Sequence, residues 1–455
     1  MAMDTSPRVH LATPTQKDGC RRAIGAGWRR QVPRSDQGIW QPSVTRRDPV
    51  EILIEQGQSR IRELLPVRYA RMKADPFAFF RGAAAVMAAD LADSPATGLR
   101  TQACGDCHLA NFGSYATPEG TPVFDINDFD VTLPAPFEWD LIRLATSLAV
   151  AGRVAGKPEK ERRRIARMAA RSYRQHMAWL APLPPVAAWS SRIDLAAAIG
   201  GIADSKLAGK LQKRLSEVMA GGASQFGLVE QHGGTWRIRD KPPLVHHLSR
   251  HELHAERAFL DYAATLQEDR RVLLRRYHLR DIAFKVVGVG SVGTFCAIGL
   301  LVSDSGAPLL LQIKEAQPSV LAPFAGKSGY SNHGQRVVVG QRIMQAATDI
   351  FLGWTVEPLD GRSFYVRRLK DSRLAGIGTQ IADSLPFYAD LCGRTLARAH
   401  ARSGDAVAIA GYMGDGTGFE GAIAEFAMAY ADQAEKDWRA FLDAIGTGRI
   451  TAGQA

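Results

Sequence analysis

Asp106, His108 and Asn111 stand together in CGDCHLANFG (104–113), and FDINDFD (124–130) follows with Asp125, Asp128 and Asp130. Phosphoryl transfer asks for such a set: one carboxylate orients a hydroxyl nucleophile, while an amide oxygen and a second carboxylate hold Mg²⁺ against the phosphates. On this reading Asp106 is the catalytic carboxylate and Asn111 and Asp128 are the metal ligands. The same letters spell C-x-x-C-H, the attachment signature of c-type haem. That reaction belongs outside the cytoplasm, yet residues 1–50 show no apolar secretory core, and haem would leave Asn111 and the Asp-rich strand without a role. A structural zinc site would want further ligands at suitable spacing, whereas Cys20, Cys296 and Cys392 are scattered singly. Cys104 and Cys107 are therefore expected as small buried residues beside the loop.

Asp106 precedes Asn111 by the interval that separates Asp from Asn in the kinase catalytic loop H-R-D-x-x-x-x-N, and Asp128-Phe129-Asp130 stands where D-F-G stands. The pattern G-D-x-H-x-x-N followed by a strand ending in D-F-D resembles the aminoglycoside phosphotransferase and choline kinase branch of the kinase-like fold. The resemblance implies that His108 helps to hold the loop. It also implies that Asp140, in Trp139-Asp140-Leu141, braces the loop through its backbone amides; Asp140 is further expected to cap a helix over 140–151. Asp130 is a supporting residue. Asp125 either turns toward the metal or faces the outer side of its strand.

The elements that must position a nucleotide lie downstream. Gly288, Gly290, Ser291 and Gly293 form G-x-G-x-x-G between apolar runs. A dinucleotide site needs a helix directly after the glycines, whereas FCAIGLLV reads as a second strand; strand, glycine loop, strand is the hairpin that lies over ATP phosphates in kinases. The next strand, LLLQIKEA, carries Lys314 in the place of the lysine that pairs with the α and β phosphates. A plain hairpin with a surface lysine is the bland alternative. No Glu stands in the helical segment 333–353 to partner Lys314, which leaves Gln341 or Gln345 as hydrogen-bond acceptors, Glu315 or Glu357 from elsewhere, or orientation by phosphate alone.

Glycine loop and lysine come after the catalytic loop, the reverse of the usual order, so the chain reads as a circular permutation. LARAHA, in a helix over 387–404, resembles the helix that normally runs into the catalytic loop, which puts the cut between the two. A hairpin, WTVEPLDGRSFYVRR, is expected to lead to a hinge. RMKADPFAFFRGAA, the two Asp motifs, PFEWDLIRLATSLAVAGR and GQRVVVGQRIMQAATDIFLGW resemble a bacterial family of unknown function grouped with the kinase-like phosphotransferases, over roughly residue 45 to the C-terminus. That implies a fold relationship and a nucleotide site, without a substrate.

The expected fold class is α+β: a circularly permuted, bilobal kinase-like fold with a mostly helical C-lobe and a small antiparallel N-lobe sheet. Residues 1–45 form a basic disordered tail, 46–270 the helical C-lobe with the catalytic loop and metal strand, 271–383 the N-lobe, and 384–455 the completing helices. Phe77, Phe79 and Phe80 are expected in the core of a helix entered at Pro76, with Arg81 near an acid of the loop or a substrate phosphate. Residues 158–179 read as one helix with Arg162 to Arg164 on its wet side.

The 455 residues have a hydrophobic fraction of 46% and a charged fraction of 23%, as in a soluble globular protein, with no run long and apolar enough to span a membrane. Five unpaired cysteines suit the cytoplasm. The net charge of +11 is partly local, since residues 1–50 hold nine basic against four acidic side chains. The basic clusters lack interleaved aromatics, so no specific nucleic-acid partner is expected. HHLSRHELH puts His247, His251 and His254 within helical reach of one another, yet it lacks H-E-x-x-H and reads as a polar helix start without a metal. The function expected is an ATP- and Mg²⁺-dependent phosphotransferase acting on a hydroxyl of a small molecule or protein. The alternatives are a non-catalytic nucleotide-binding scaffold and an adenylyltransferase using the same pocket.

Overall fold

The computed structural model describes residues 18–202, 204–220, 227–242, 245–247, 255–286, 292–369 and 384–453. Its class is α+β, with several antiparallel sheets among the helices. Around the Asp motifs, β1 (Arg100–Ala103) pairs with β4 (Leu133–Pro136), and between them β2 (Phe112–Ala116) and β3 (Pro122–Ile126) form a hairpin joined by β5 (Ile193–Asp194). The Phe137–Val154 helix follows directly from β4. It is buried nearly all round, and among its buried polar residues Glu138, Asp140, Arg143 and Ser147 each meet an internal hydrogen-bond partner. The Glu159–Leu180 and Leu385–Ala401 helices pack beside it, and the latter two meet at Gly393, where a Cβ would lie 2.3 Å from the Ala169 carbonyl oxygen. Ile165, Ala169 and Tyr173 face this core; of the arginines expected on the wet side only Arg164 is exposed, since Arg162 lies over Gly152 and Arg163 pairs with Glu425.

The second half is built on strands. After the hairpin of β6 (Val229–His232) and β7 (Thr235–Ile238) come β8 (Val245–His247), β9 (Tyr277–Lys285), β10 (Cys296–Ser303), β11 (Pro308–Glu315), β12 (Gly353–Val356) and β13 (Ser363–Arg368). The sheet order is β12-β13-β11-β10-β9-β8, antiparallel throughout. Side chains alternate across it. Leu309 and Leu311 face Tyr262 and Leu274 of two covering helices and Leu266 of the turn between them, while Gln312 and Lys314 face the other way. Because β8 joins the sheet, this unit starts before residue 271. His247 thus lies in a strand and not at a helix start; His251 and His254 fall outside the described residues.

The helix that links β11 to β12 runs only from His333 to Met344, short of 353. Gln345 leaves the helical region at φ −77° and ψ 143°, and the next amide, Ala346, donates to Asp125 Oδ2 at 2.8 Å instead of to its own turn. The expected hairpin after it forms as β12 and β13.

The expected disordered arm is, from Asp18 onward, packed structure. Asp18–Gly27 is a helix laid on Ala406–Met413, so close that a Cβ on Gly25 would lie 1.8 Å from the Ala408 carbonyl oxygen. Arg21 pairs with Asp405 at 2.6 Å and Arg34 donates to the Met413 carbonyl at 2.7 Å, so part of the basic charge there is spent on internal contacts. The Pro49–Gly57, Leu65–Lys73 and Pro76–Gly82 helices bury Val50, Leu53, Tyr69, Met72 and Phe79 against Phe441 of the long Gly418–Gly446 helix. Among the described residues no helix is long and apolar enough to cross a membrane.

Candidate active site

The Asp106 loop is hung from a carboxylate below it. Cys104 and Gly105 donate their amides to Asp140 at 2.8 and 2.9 Å, and Leu109 donates to Ser147 Oγ at 2.9 Å. Asp140 does not cap its own helix, which starts at Phe137; its free lone pair meets His400 Nε2 at 3.2 Å, and His400 Nδ1 meets Tyr173 OH at 2.9 Å. Gly105 takes φ +82°, and a Cβ there would lie 2.8 Å from the Val131 carbonyl oxygen, so the turn requires glycine. Cys104 and Cys107 are free buried thiols, pushed up by burial. They lie within 4.8 Å of an Asp140 oxygen, but that carboxylate is already spent on the loop.

Inside the loop Asn111 donates Nδ2 to the Asp106 carbonyl at 2.7 Å, which leaves Oδ1 as the atom it can offer a cation. The Asp106 carboxylate is held by Arg143, whose Nε and Nη2 both reach Oδ1, at 2.7 and 2.5 Å. Arg143 is fixed in turn by the Phe80 carbonyl at 3.0 Å and lies over the Phe80 ring, which gives the core aromatic of the Pro76–Gly82 helix a second task. His108 Nε2 stands 3.8 Å from Asp106 Oδ2; burial pushes its pKa down to about 3, so it is neutral, edge-on to Phe77.

Asp128 receives the Asp130 amide on Oδ1 at 3.2 Å, and burial together with the Asp130 charge raises its pKa. Asp130 accepts from Lys314 Nζ at 2.6 Å and from Tyr365 OH at 2.5 Å. Burial opposes both charges, yet Lys314 and the Tyr365 hydroxyl hold Asp130 well below the usual carboxylate range, and Asp130 raises Lys314. Lys314 therefore has a partner that is neither Gln341 nor Gln345, and neither Glu315 nor Glu357. The helix after it contributes Arg336, which donates to the carbonyls of Thr132, Asp130 and Gln317 at 2.7, 2.8 and 2.8 Å. Asp125 is wholly buried and ion-paired with Arg398, with Tyr115 OH at 3.3 Å, so it faces neither cleft nor solvent.

Of the glycine loop, Gly288, Gly290 and Ser291 lie outside the described residues. Gly293 takes φ +91° and accepts the Ile61 amide at 2.7 Å, while Arg60 reaches the Val292 carbonyl at 2.5 Å. Asp106, Asp128 and Asp130 share one cleft of about 690 Å³, its mouth included, with Arg60, Arg81, Thr294 and Glu315. Asn111 and Lys314 do not line it directly; they reach it through Asp106 and Asp130.

A family model described as an uncharacterized protein conserved in bacteria (DUF2252) matches residues 60–444. The chain belongs to this family. No curated protein and no solved structure matches it. The DUF2252 span runs from Arg60, at the glycine loop, past the Asp106 loop and Lys314 to the long C-terminal helix. Within it, sequence reasoning missed Arg143 and Tyr365 and the pairing of Asp130 with Lys314. Arg143 lies three residues beyond Asp140, on the helix turn that faces the same loop, and that spacing was a usable signal.

Proposed function

We propose that this chain is an ATP- and Mg²⁺-dependent phosphotransferase of circularly permuted kinase-like fold, acting on an acceptor hydroxyl. The observation that carries the reading is the Lys314–Asp130 ion pair: it draws the strand lysine to the D-F-D segment, in a cleft that also holds Asp106. The layout supports it as well. Strand, glycine loop, strand, lysine strand, helix and hairpin follow one another in the order expected of a kinase N-lobe. The permutation is supported where the cut is placed, because Ser403, just past the Leu385–Ala401 helix, accepts the Gln102 amide of β1 on Oγ at 2.8 Å.

Asn111 Oδ1 and the Asp128 carboxylate are an all-oxygen set that suits Mg²⁺, which would neutralise phosphate charge there. Asp106 accepts the hydroxyl proton on Oδ2, while Arg143 on Oδ1 fixes the carboxylate's rotation. Lys314, oriented by Asp130, pairs with the α and β phosphates, and the glycine loop covers them.

A second reading is a nucleotide-binding scaffold without turnover, and one observation bears on how much of a nucleotide the sheet can cover. On the sheet face that carries Lys314, Ile298, Leu300, Leu310 and Leu369 are buried together with Ile238 and Val245, so the chain's own side chains fill part of the space under the sheet. Purified protein with γ- and α-labelled ATP, Mg²⁺ and a bacterial extract separates the readings, with Asp106→Asn and Lys314→Ala alongside. Transfer of the γ label that both variants lose supports the phosphotransferase. Transfer of the α label makes it an adenylyltransferase, and binding without transfer makes it the scaffold.

A further inference from the structure

The wall of the cleft on the Asp106 side is built by the N-terminal helices, and its charge points to an acceptor class. Arg81 ends the Pro76–Gly82 helix, one residue beyond the Phe80 carbonyl that holds Arg143, and so stands beside the partner of Asp106. Its side chain makes no hydrogen bond or ion pair among the described residues, and its Nε is sealed from solvent without an acceptor. Three acids lie around it, and none bonds to it: Asp75 caps its helix through the Ala78 amide at 2.8 Å, Asp106 is taken by Arg143, and Asp128 receives the Asp130 amide at 3.2 Å. Glu315 accepts the Phe295 amide at 3.1 Å. Apart from the three aspartates, the charged residues lining the cleft are Arg60, Arg81 and Glu315. That Nε is closed to a ligand, but the rest of the half-buried guanidinium opens on the cleft and can take an oxyanion.

We propose that the acceptor hydroxyl belongs to an anionic compound whose carboxylate or phosphate group binds Arg81. This rests on the phosphotransferase reading and sharpens it, because an oxyanion on the acceptor gives Arg81 the partner that a cationic acceptor such as an aminoglycoside or choline cannot supply. The oxyanion sits on Arg81 on the Asp106 side, while the nucleotide phosphates belong to Lys314 and the glycine loop across the cleft. Arg81 is thus a specificity residue for the acceptor.

The test separates a metabolite extract on an anion-exchange resin into retained and unretained pools and offers each, with γ-labelled Mg·ATP, to the full chain, Arg81→Gln and Arg81→Lys. Label is expected in the retained pool only. Arg81→Gln should raise the acceptor KM about tenfold or more with Mg·ATP affinity held within about twofold, and Arg81→Lys should recover part of the loss. Label in the unretained pool, or an Arg81→Gln variant with wild-type KM, overturns the proposal. Inorganic phosphate titrated calorimetrically into the same three proteins judges the anion site separately. If no pool is labelled, the phosphotransferase reading fails, while Arg81-dependent phosphate binding still upholds the anion site and its absence overturns that too.

Discussion

Lys314 and Asp130 act as one unit. A lysine whose side chain is 4% exposed needs a counter-charge, and here the D-F-D segment supplies it, where in kinases a helix glutamate does. Asp130→Asn and Lys314→Ala should therefore each weaken Mg·ATP binding by about tenfold or more, and the double variant should lose little beyond either. Additive losses in a titration would show that the two residues act independently. Glu138 carries a pH signature. Its Oε1 accepts the Thr97 amide at 2.9 Å, but burial pushes its pKa up to about 7, from 4.5 for the free side chain. The fold thus retains a proton that the unfolded chain releases, so stability is unaffected below the unfolded value and falls as pH rises from there to about 7. Glu138→Gln should flatten that fall and gain about 1–3 kcal/mol at pH 8, read by urea unfolding at pH 5 and pH 8. An identical pH slope in variant and wild type would refute it.

At the scale of elements, the Asp106 loop is shaped from underneath. Removing the Asp140 carboxylate strands two buried amides and His400, so Asp140→Ala should cost about 3–5 kcal/mol in denaturant unfolding and speed hydrogen exchange at Cys104 and Gly105. A loss below about 1 kcal/mol would mean that the loop keeps its shape without the brace. The brace was legible through the resemblance of Trp139-Asp140-Leu141 to a phosphotransferase motif, whereas Asp106 and Asn111 stand close enough in one loop for spacing to bring them together. The strands around the glycines were legible for the same reason. The Lys314 partner was not, since Asp130 lies 184 residues away and only the fold brings them together. Nor was the fate of Asp125, which depends on Arg398, 273 residues on. The basic N-terminal segment misled through composition: its arginines look like those of a solvated arm, but Arg21, Arg29 and Arg34 find carboxylate and carbonyl partners on a helix near the other end of the chain.

Across the whole molecule, the sheet and the helical half meet at the cleft through a few directed contacts. These include the Lys314–Asp130 pair, Arg336 on the Asp130 and Thr132 carbonyls, Arg367 on the Asn127 carbonyl at 3.0 Å and the Ile61 amide on Gly293. A ligand that bridges both sides should stabilise the fold as one body. Mg·ATP at a hundred times its dissociation constant should add about 2.7 kcal/mol, seen as a rise in Tm that Lys314→Ala loses. No shift in the wild-type protein would mean that the nucleotide does not join the two halves. The most direct measurement is calorimetric titration of ATP into the wild-type chain and Asp128→Asn, each with and without Mg²⁺. The account predicts binding that requires Mg²⁺ and that Asp128→Asn weakens by about tenfold or more. Wild-type protein that binds no ATP, or an Asp128→Asn variant that binds Mg·ATP as the wild type does, would contradict it.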